Sequence, residues 1–244
     1  MSGHSKWNNI KNKKEKTDAQ KAKVFTKIGK EIAICVRGGG GDPNTNGKLR
    51  DLIAKAKANN VPNDNIERAI KKALGADSVQ YEEIIYEGYG PSGVAVIVET
   101  ATDSRNRTAS DVRHFFDKYG GNLGASGCVS YMFDDKGVIV LLKEDNEKVD
   151  EDALMEAALE AGAEDFASDD ETYQITTDPA DVYAIREELE KLGYKVESAE
   201  EDRIPQTYVT LENEEDIKNM NLLIEHLEDS DDVQEIYHNW GNCE

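Results

Sequence analysis

The sequence predicts an α+β fold: an N-terminal three-helix bundle plus two α/β domains, of which the inserted one is ferredoxin-like. Apolar residues recur at helical spacing up to Gly75, and strand-like runs alternate with helical runs from residue 79 onward. Residues 136–202 follow the order β-α-β-β-α-β, which is typical of ferredoxin-like domains. The predicted parts are a basic mobile arm (1–17), a helical domain (18–76), a discontinuous α/β domain (79–134 with 204–244) and the inserted domain (136–202).

The first predicted helix begins at an N-cap, Asp18, and ends near Arg37. One face of it is apolar, with Phe25, Ile28, Ile32 and Val36, and the nearly opposite face carries Lys23, Lys27, Lys30 and Arg37. The glycine run 38–41 and Pro43 stop this helix, because glycine is flexible and proline cannot continue a helix. The sequence therefore predicts a helix with a core face and a basic face.

Two further amphipathic helices complete the predicted bundle. Asn46 is expected to cap the second helix, which ends near Asn59, and a third helix ends at Gly75. Downstream helices are predicted at 104–119, 150–161, 179–192 with Pro179 in its first turn, and 214–227. Strands are predicted at 81–87, 94–100, 128–133, 138–142, 165–167, 173–177, 194–198, 206–211 and 233–237. Neither flanking piece alone makes a sheet with a buried face, so 79–134 and 204–244 are assigned to one domain.

The charge of the chain is strongly divided along its length. The formal net charge is −21, which by itself argues against a nucleic-acid partner. Residues 1–75, however, hold 17 Lys and Arg against 7 Asp and Glu, whereas the remainder holds 12 against 43. Such an asymmetry indicates contact with nucleic acid through the basic end, while the acidic end repels phosphate and limits non-specific adhesion.

The basic arm and the first helix provide the candidate nucleic-acid-binding residues. Lysines on flexible stems suit sequence-independent phosphate contact, and an exposed tryptophan among them can stack on a base. The candidates here are His4, Ser5, Lys6, Trp7, Lys11, Lys13, Lys14, Lys16, Lys23, Lys27, Lys30 and Arg37. The alternative is that the lysines form a solvated face and that Trp7 packs on the bundle.

Arg105 and Arg107 form a second candidate contact. They lie at the predicted start of a helix, where the helix dipole disfavours cations. Two arginines placed against that preference can form a second nucleic-acid-binding surface, or they can pair with the abundant acidic residues. The sequence leaves both interpretations open.

No motif indicates an enzyme, a cofactor or a metal site. The glycine run 38–41 follows a helix and precedes Asp-Pro, so it lacks the context of a phosphate-binding loop. The acidic clusters at 169–171, 200–202 and 229–232 lack EF-hand spacing and are expected to be solvated loops. Cys35 and Cys128 are expected to be small buried apolar residues, since no CxxC pair is present. No membrane-spanning stretch or secretory signal is evident, and a cytoplasmic location is expected.

Several long motifs resemble the YebC family. They are GHSKWNNIK (3–11), KVFTKIGKEI (23–32), GGGDPNTNGKLRDLIAKAKANNVPNDNIERAIKKALG (39–75), YEGYGPSGVAVIVETATDSRNRT (86–108) and GGNLGASGCVSYMF (120–133). The resemblance implies three domains, the third inserted in the second, and a cytoplasmic regulator without a catalytic reaction. Positions 4–7, 11 and 105–107 match its N-terminal and second-domain motifs. The family often has Lys or Arg near residues 12 and 20–21, and this chain has Asn12 and Gln20, so its arm is somewhat less basic than is typical of the family.

The resemblance implies two targets for such a regulator. Members are named probable transcriptional regulatory proteins and are described as binding promoter DNA. Mitochondrial relatives are known as translational activators, and other members are described as ribosome-associated factors that help translation of stretches such as consecutive prolines. The primary hypothesis is DNA binding, and the alternative is ribosomal RNA or the ribosome. A third hypothesis, from another class, is a ligand-sensing module, because ferredoxin-like domains can build pockets. The sequence predicts no oligomeric state.

Overall fold

The computed structural model describes residues 18–75 and 78–242, and it confirms the α+β fold class. The helices described are α1 (Asp18–Gly39), α2 (Gly47–Ala58), α3 (Asn63–Ala73), α4 (Arg105–Lys118), α5 (Glu151–Glu160), α6 (Val182–Lys191) and α7 (Glu214–Asp229). The strands described are β1 (Glu82–Tyr89), β2 (Ala95–Thr102), β3 (Asn122–Leu123), β4 (Phe133–Leu142), β5 (Asp165–Ser168), β6 (Thr172–Thr177), β7 (Ser198–Pro205) and β8 (Val233–His238). The chain divides into two compact units, 134–204 and the flanking segments taken together.

Helices α1, α2 and α3 form a bundle around a small apolar core. Ile32, Leu49 and Ile66 are central to this core, as their helical spacing predicts. Asn46 is the N-cap of α2, as predicted, and its Oδ1 accepts a hydrogen bond from the Leu49 amide. The N-cap role of Asp18 stays a prediction, because the residues before it lie outside those described.

A four-stranded antiparallel sheet in the order β3-β1-β2-β8 forms the second part of the same unit. Strand β8 lies beside β2, so residues near 235 and residues near 98 share one sheet. Helices α4 and α7 pack against it in a core that includes Phe116, Leu223 and Trp240. On strand β2, Val96 and Val98 belong to this core, whereas Ala95 and Ile97 belong to a smaller cluster with Val129 and Phe133.

The unit formed by residues 134–204 contains the second sheet, in the order β5-β6-β4-β7. This order and the sequence of its elements are those of a ferredoxin-like fold, as predicted. Ile139 and Ile175 of the sheet pack with Leu154 of α5 and Leu189 of α6. Asp150 caps α5 by accepting a hydrogen bond from the Asp152 amide.

Several predicted elements have different bounds or types. Residues 130–132 form a 3-10 turn, and β4 then runs unbroken from Phe133 to Leu142. The strand predicted at 194–198 begins only at Ser198. The prediction of a strand at 206–211 is wrong. The amide of Val209 donates a hydrogen bond to the carbonyl of Asn239, but the segment forms only one isolated parallel bridge, between Val209 and Trp240. Pro179 precedes α6, which begins at Val182.

Candidate nucleic-acid interface

The candidate residues of the arm lie outside the described residues. These are His4, Ser5, Lys6, Trp7, Lys11, Lys13, Lys14 and Lys16. The structure places the remaining candidates, Lys23, Lys27, Lys30, Arg37, Arg105 and Arg107. Their surroundings divide them into buried, paired and open cations, and each class has a different capacity to bind phosphate.

Lys30 is a buried cation that joins α1 to the sheet. Its Nζ lies 2.8 Å from Asp232 Oδ1 and donates to the carbonyl oxygens of Asp231 (2.7 Å) and Ala101 (3.2 Å). Only 8% of the residue is exposed. The prediction that Lys30 lies on an open basic face is therefore wrong. Helical periodicity separates the two faces of α1 but does not show that a second layer covers part of the polar one.

Asp232 is the acceptor at the centre of this contact. Besides Lys30, its carboxylate binds the guanidinium of Arg107 (2.6 Å) and the hydroxyl of Thr108 (2.8 Å). Burial opposes ionisation, but the hydrogen bonds from Arg107, Lys30 and Thr108 outweigh it and lower the pKa of Asp232 to about 2. The prediction of solvated acidic loops is wrong for Asp232, which is buried and hydrogen-bonded, and for residues 200–202, which lie within strand β7.

Arg107 and Arg105 both form ion pairs in this structure. Arg107 binds Asp103 at 2.9 Å as well as Asp232, and these hydrogen bonds raise the pKa of its guanidinium further. The Nε of Arg105 lies 3.5 Å from Glu82 Oε2, with both side chains mostly exposed. Of the two interpretations left open by the sequence, the structure displays pairing with acidic residues. Arg105 nevertheless remains accessible to a partner.

Lys23 and Lys27 lie one helical turn apart on α1, near the C-terminal end of α7. Lys23 Nζ lies 2.6 Å from Asp229 Oδ1, and the side chains are 37% and 69% exposed. The hydrogen bond from Lys23 lowers the pKa of Asp229, and the charge of Lys27 adds to the effect. These two candidate lysines thus face a carboxylate rather than open solvent alone.

The cations of the bundle that are exposed and unpaired within the described residues, here called open cations, belong mainly to α3. Those of α3 are not among the candidate residues predicted from the sequence. Arg68, Lys71 and Lys72 project opposite the face of α3 that contributes Ile66 and Ile70 to the core. In the part of the chain that the structure describes, these three cations, together with Arg37 and Lys57, are exposed and make no ion pair. The helical spacing of Arg68, Lys71 and Lys72 in the sequence predicts that they share the face opposite the core. The net charge of residues 1–75 includes these residues but does not show where they lie.

A polar cleft of about 430 Å³ lies beside the Lys30–Asp232 contact. Thr26 and Lys30 of α1, Tyr81, residues of α4 and the loop 230–232 line it. Three of its charged side chains already form ion pairs, because Lys30 and Arg107 both bind the carboxylate of Asp232. Within the described ranges, no three His, Cys, Asp or Glu side chains are grouped so that they could hold a metal ion. None of the described helices is long and apolar enough to cross a membrane.

Family models match almost the entire chain. The model described as "TACO1/YebC protein N-terminal domain" matches residues 5–76, and that described as "TACO1/YebC second and third domain" matches residues 81–240. The chain belongs to the TACO1/YebC family. The boundary between the two models falls between the bundle and β1, which is the point where helical periodicity gives way to strands.

Full-length relatives support membership of the TACO1/YebC family. A "probable transcriptional regulatory protein" of Acetivibrio thermocellus is 62% identical over 241 residues, which is 98% of this chain and 99% of the relative. One of the same name from Ruminiclostridium cellulolyticum is 62% identical over 245 residues, 100% of this chain and 98% of the relative. The crystal structure of a conserved hypothetical protein from Aquifex aeolicus matches with a TM-score of 0.80 and 47% identity, covering 93% of this chain and 92% of that one. Both of these bacterial relatives thus bear the name of a probable transcriptional regulator.

Proposed function

We propose that this chain is a non-enzymatic, cytoplasmic regulator of gene expression that binds the phosphate backbone of nucleic acid through its helical bundle. The observation that carries the proposal is the set of open cations on the bundle: Arg37, Lys57, Arg68, Lys71 and Lys72. Exposed cations that make no ion pair with residues 18–75 or 78–242 are available to neutralise phosphates and to release their condensed counterions. The basic arm, residues 1–17, belongs to the same half of the chain and adds further lysines.

The acidic residues beyond position 75 favour an encounter in which the bundle faces the nucleic acid. Residues beyond 75 hold 43 Asp and Glu against 12 Lys and Arg, so phosphate is repelled from the two sheets. A protein with charge divided in this way approaches nucleic acid with the bundle first. Lys30 is excluded from the proposed contact set because its ammonium group is buried and bound.

Base-specific contacts are not part of this proposal. Sequence-specific readout needs a helix or strand whose side chains reach base edges in a groove. The open face of α3 instead presents Arg68, Lys71 and Lys72, which suit phosphate contact. DNA at promoters is the target suggested by the names of the relatives, and structured RNA of the ribosome is the alternative target with the same backbone chemistry.

The salt dependence of binding tests this surface. A triple variant Arg68→Gln, Lys71→Gln, Lys72→Gln is compared with Lys148→Gln, Lys191→Gln, Lys195→Gln, whose exposed lysines lie in the 134–204 unit. Fluorescence anisotropy with a random DNA duplex and with an RNA hairpin gives the slope of log affinity against log salt. Loss of three phosphate contacts should flatten that slope by about three on the preferred probe. Equal slopes for the two triple variants would refute the α3 surface.

Sedimentation of lysate on a sucrose gradient separates the two targets. Migration with ribosomes that is lost in moderate salt, and lost in the α3 triple variant but not in the control, would assign the surface to the ribosome. Free protein at the top of the gradient, combined with tighter binding to duplex DNA than to the RNA hairpin, would assign it to DNA. The polar cleft is lined by residues outside the ferredoxin-like unit 134–204, so the ligand-sensing hypothesis stays a prediction.

A further inference from the structure

The end of α7 places a carboxylate against Lys23, one of the candidate phosphate-binding residues of α1. Asp229 is the last residue of α7, and its Oδ1 lies 2.6 Å from Lys23 Nζ. The backbone carbonyl of Asp229 lies 3.5 Å from the same ammonium group. Lys23 is thus surrounded by a carboxylate and a helix C-terminus, both of which carry negative charge. This arrangement resembles the oxygen-rich, anionic environment of a phosphate group.

The location of Asp229 is electrostatically unfavourable for α7 itself. The C-terminal end of a helix carries a partial negative charge, so an acidic residue in the last turn is destabilising there. Lys23 offsets this, since its hydrogen bond lowers the pKa of Asp229, and Lys27 adds a second nearby positive charge. The Asp229 carboxylate is therefore stabilised by lysines on the basic face of α1, whereas the dipole of its own helix disfavours it.

The Lys23–Asp229 pair can open at low cost, whereas the neighbouring pair cannot. Both side chains of the first pair are substantially exposed, and exposed ion pairs contribute little net stability. Lys30 and Asp232 are buried side chains, and separating them would leave two charges without partners inside the protein. Lys23 and Lys30 are seven positions apart and lie on the same side of α1, and Asp229 and Asp232 are three positions apart around the turn that follows α7. The buried pair therefore holds these elements together whether the exposed pair is closed or open.

We infer that Asp229 is a built-in phosphate mimic that occupies Lys23 and attenuates nucleic-acid binding at the N-terminal half of α1. This inference rests on the proposed function and adds a regulatory element to it. Nucleic acid displaces the Asp229 carboxylate from Lys23 on binding, and the competition lowers the affinity at that position.

Asp229→Asn with Glu228→Gln as its matched control tests the inference. Glu228 is the adjacent residue of α7, is exposed, and makes no ion pair with any part of the chain that is described. Each variant removes one negative charge at nearly the same place, so a general change of protein charge affects both equally. The worth of one exposed ion pair, up to about 1 kcal/mol, corresponds to about a fivefold change in affinity. We expect Asp229→Asn to bind the anisotropy probe about two- to fivefold more tightly than Glu228→Gln.

The same comparison in a Lys23→Gln background completes the double-mutant cycle. There the ratio of the two affinities should fall to about one, because no ammonium group remains to be released. Equal affinities of Asp229→Asn and Glu228→Gln in the otherwise native chain, with binding retained, would overturn the mimic and leave the proposed function intact. A persisting ratio in the Lys23→Gln background would also overturn it. Absence of binding by every variant and by the native chain would overturn both proposals. Thermal melting of each variant confirms that the fold is retained.

Discussion

Lys30 and Asp232 are 202 positions apart in the sequence, and their Nζ and Oδ1 atoms lie 2.8 Å apart. About a tenth of each side chain is exposed. The pair joins the first helix of the bundle to the turn before the last strand of the sheet. Arg107 binds the other oxygen of the same carboxylate, so the contact is a three-residue ionic network and not an isolated salt bridge.

Removing the carboxylate of this network should destabilise the protein strongly. In Asp232→Ala, the buried ammonium group of Lys30 keeps two carbonyl partners but loses its counter-charge, and the hydroxyl of Thr108 loses an acceptor. We expect a loss of about 3 kcal/mol in the free energy of unfolding, measured by urea denaturation. Asp231→Asn is the control, since the Asp231 side chain is exposed and only its carbonyl contacts Lys30. Similar losses for both variants would contradict this account.

The stability contributed by Asp232 should disappear in acid. The folded-state pKa of about 2 lies below the ordinary value of 3.8, so the folded state favours the ionised form. The contribution is therefore fully present above about pH 4 and is lost as the pH falls toward 2. The difference in unfolding free energy between the native chain and Asp232→Asn should shrink over that range. A difference that stays constant from neutral pH to the acid limit would show that Asp232 ionises alike in both states.

Replacing Asn46 should destabilise the bundle by more than the loss of a helix cap. Its Oδ1 caps α2 through Leu49, and its Nδ2 donates to the carbonyl oxygens of Cys35 and Gly40. Asn46→Ala loses these hydrogen bonds and a longer one that Cys35 Sγ donates to Oδ1, and we expect a cost of about 2 kcal/mol. Asn46→Ser keeps a capping oxygen and should recover about half of that loss. Equal unfolding free energies of the Ala and Ser variants would show that the cap itself contributes nothing.

Glu87 should be essential for the order of the segment 127–130. This buried carboxylate accepts hydrogen bonds from the amides of Gly127 (2.7 Å), Val129 (2.9 Å) and Ser130 (2.8 Å). Burial raises its pKa, but these three hydrogen bonds outweigh that effect and lower it. In Glu87→Gln one oxygen becomes a donor, which faces an amide that also donates, so we expect a loss of about 2 kcal/mol.

Hydrogen exchange is the measurement for Glu87→Gln. Protection of the three amides should fall relative to the native chain, and the change should be confined to that segment. Glu83→Gln is the matched control, because Glu83 lies on the same strand and its side chain is exposed. Unchanged protection at 127–130 in Glu87→Gln would contradict the role assigned to this carboxylate.

The sequence by itself determined the features that depend on neighbouring residues. Asn46 and Leu49 are three positions apart, and Ile66 and Ile70 are four apart, so the cap of α2 and the core face of α3 follow from local geometry. The order of elements in 136–202 also indicated its ferredoxin-like fold, although the strands of that sheet pair residues that are distant in sequence. The charge division also follows from composition alone, and the arm that carries much of it lies outside the described residues.

Only the tertiary structure decided which polar surfaces face one another. Periodicity gave Lys30 and Lys23 the same polar face of α1, yet the first is buried against Asp232 and the second is exposed beside Asp229. The strand bounds near 133 and 198 likewise depend on partners distant in sequence. Such contacts are set by packing between layers, where the loss of hydration must be compensated by partners that local sequence does not identify. For this reason the sequence predicted the basic half of the chain, and the fold selected which of its cations remain open.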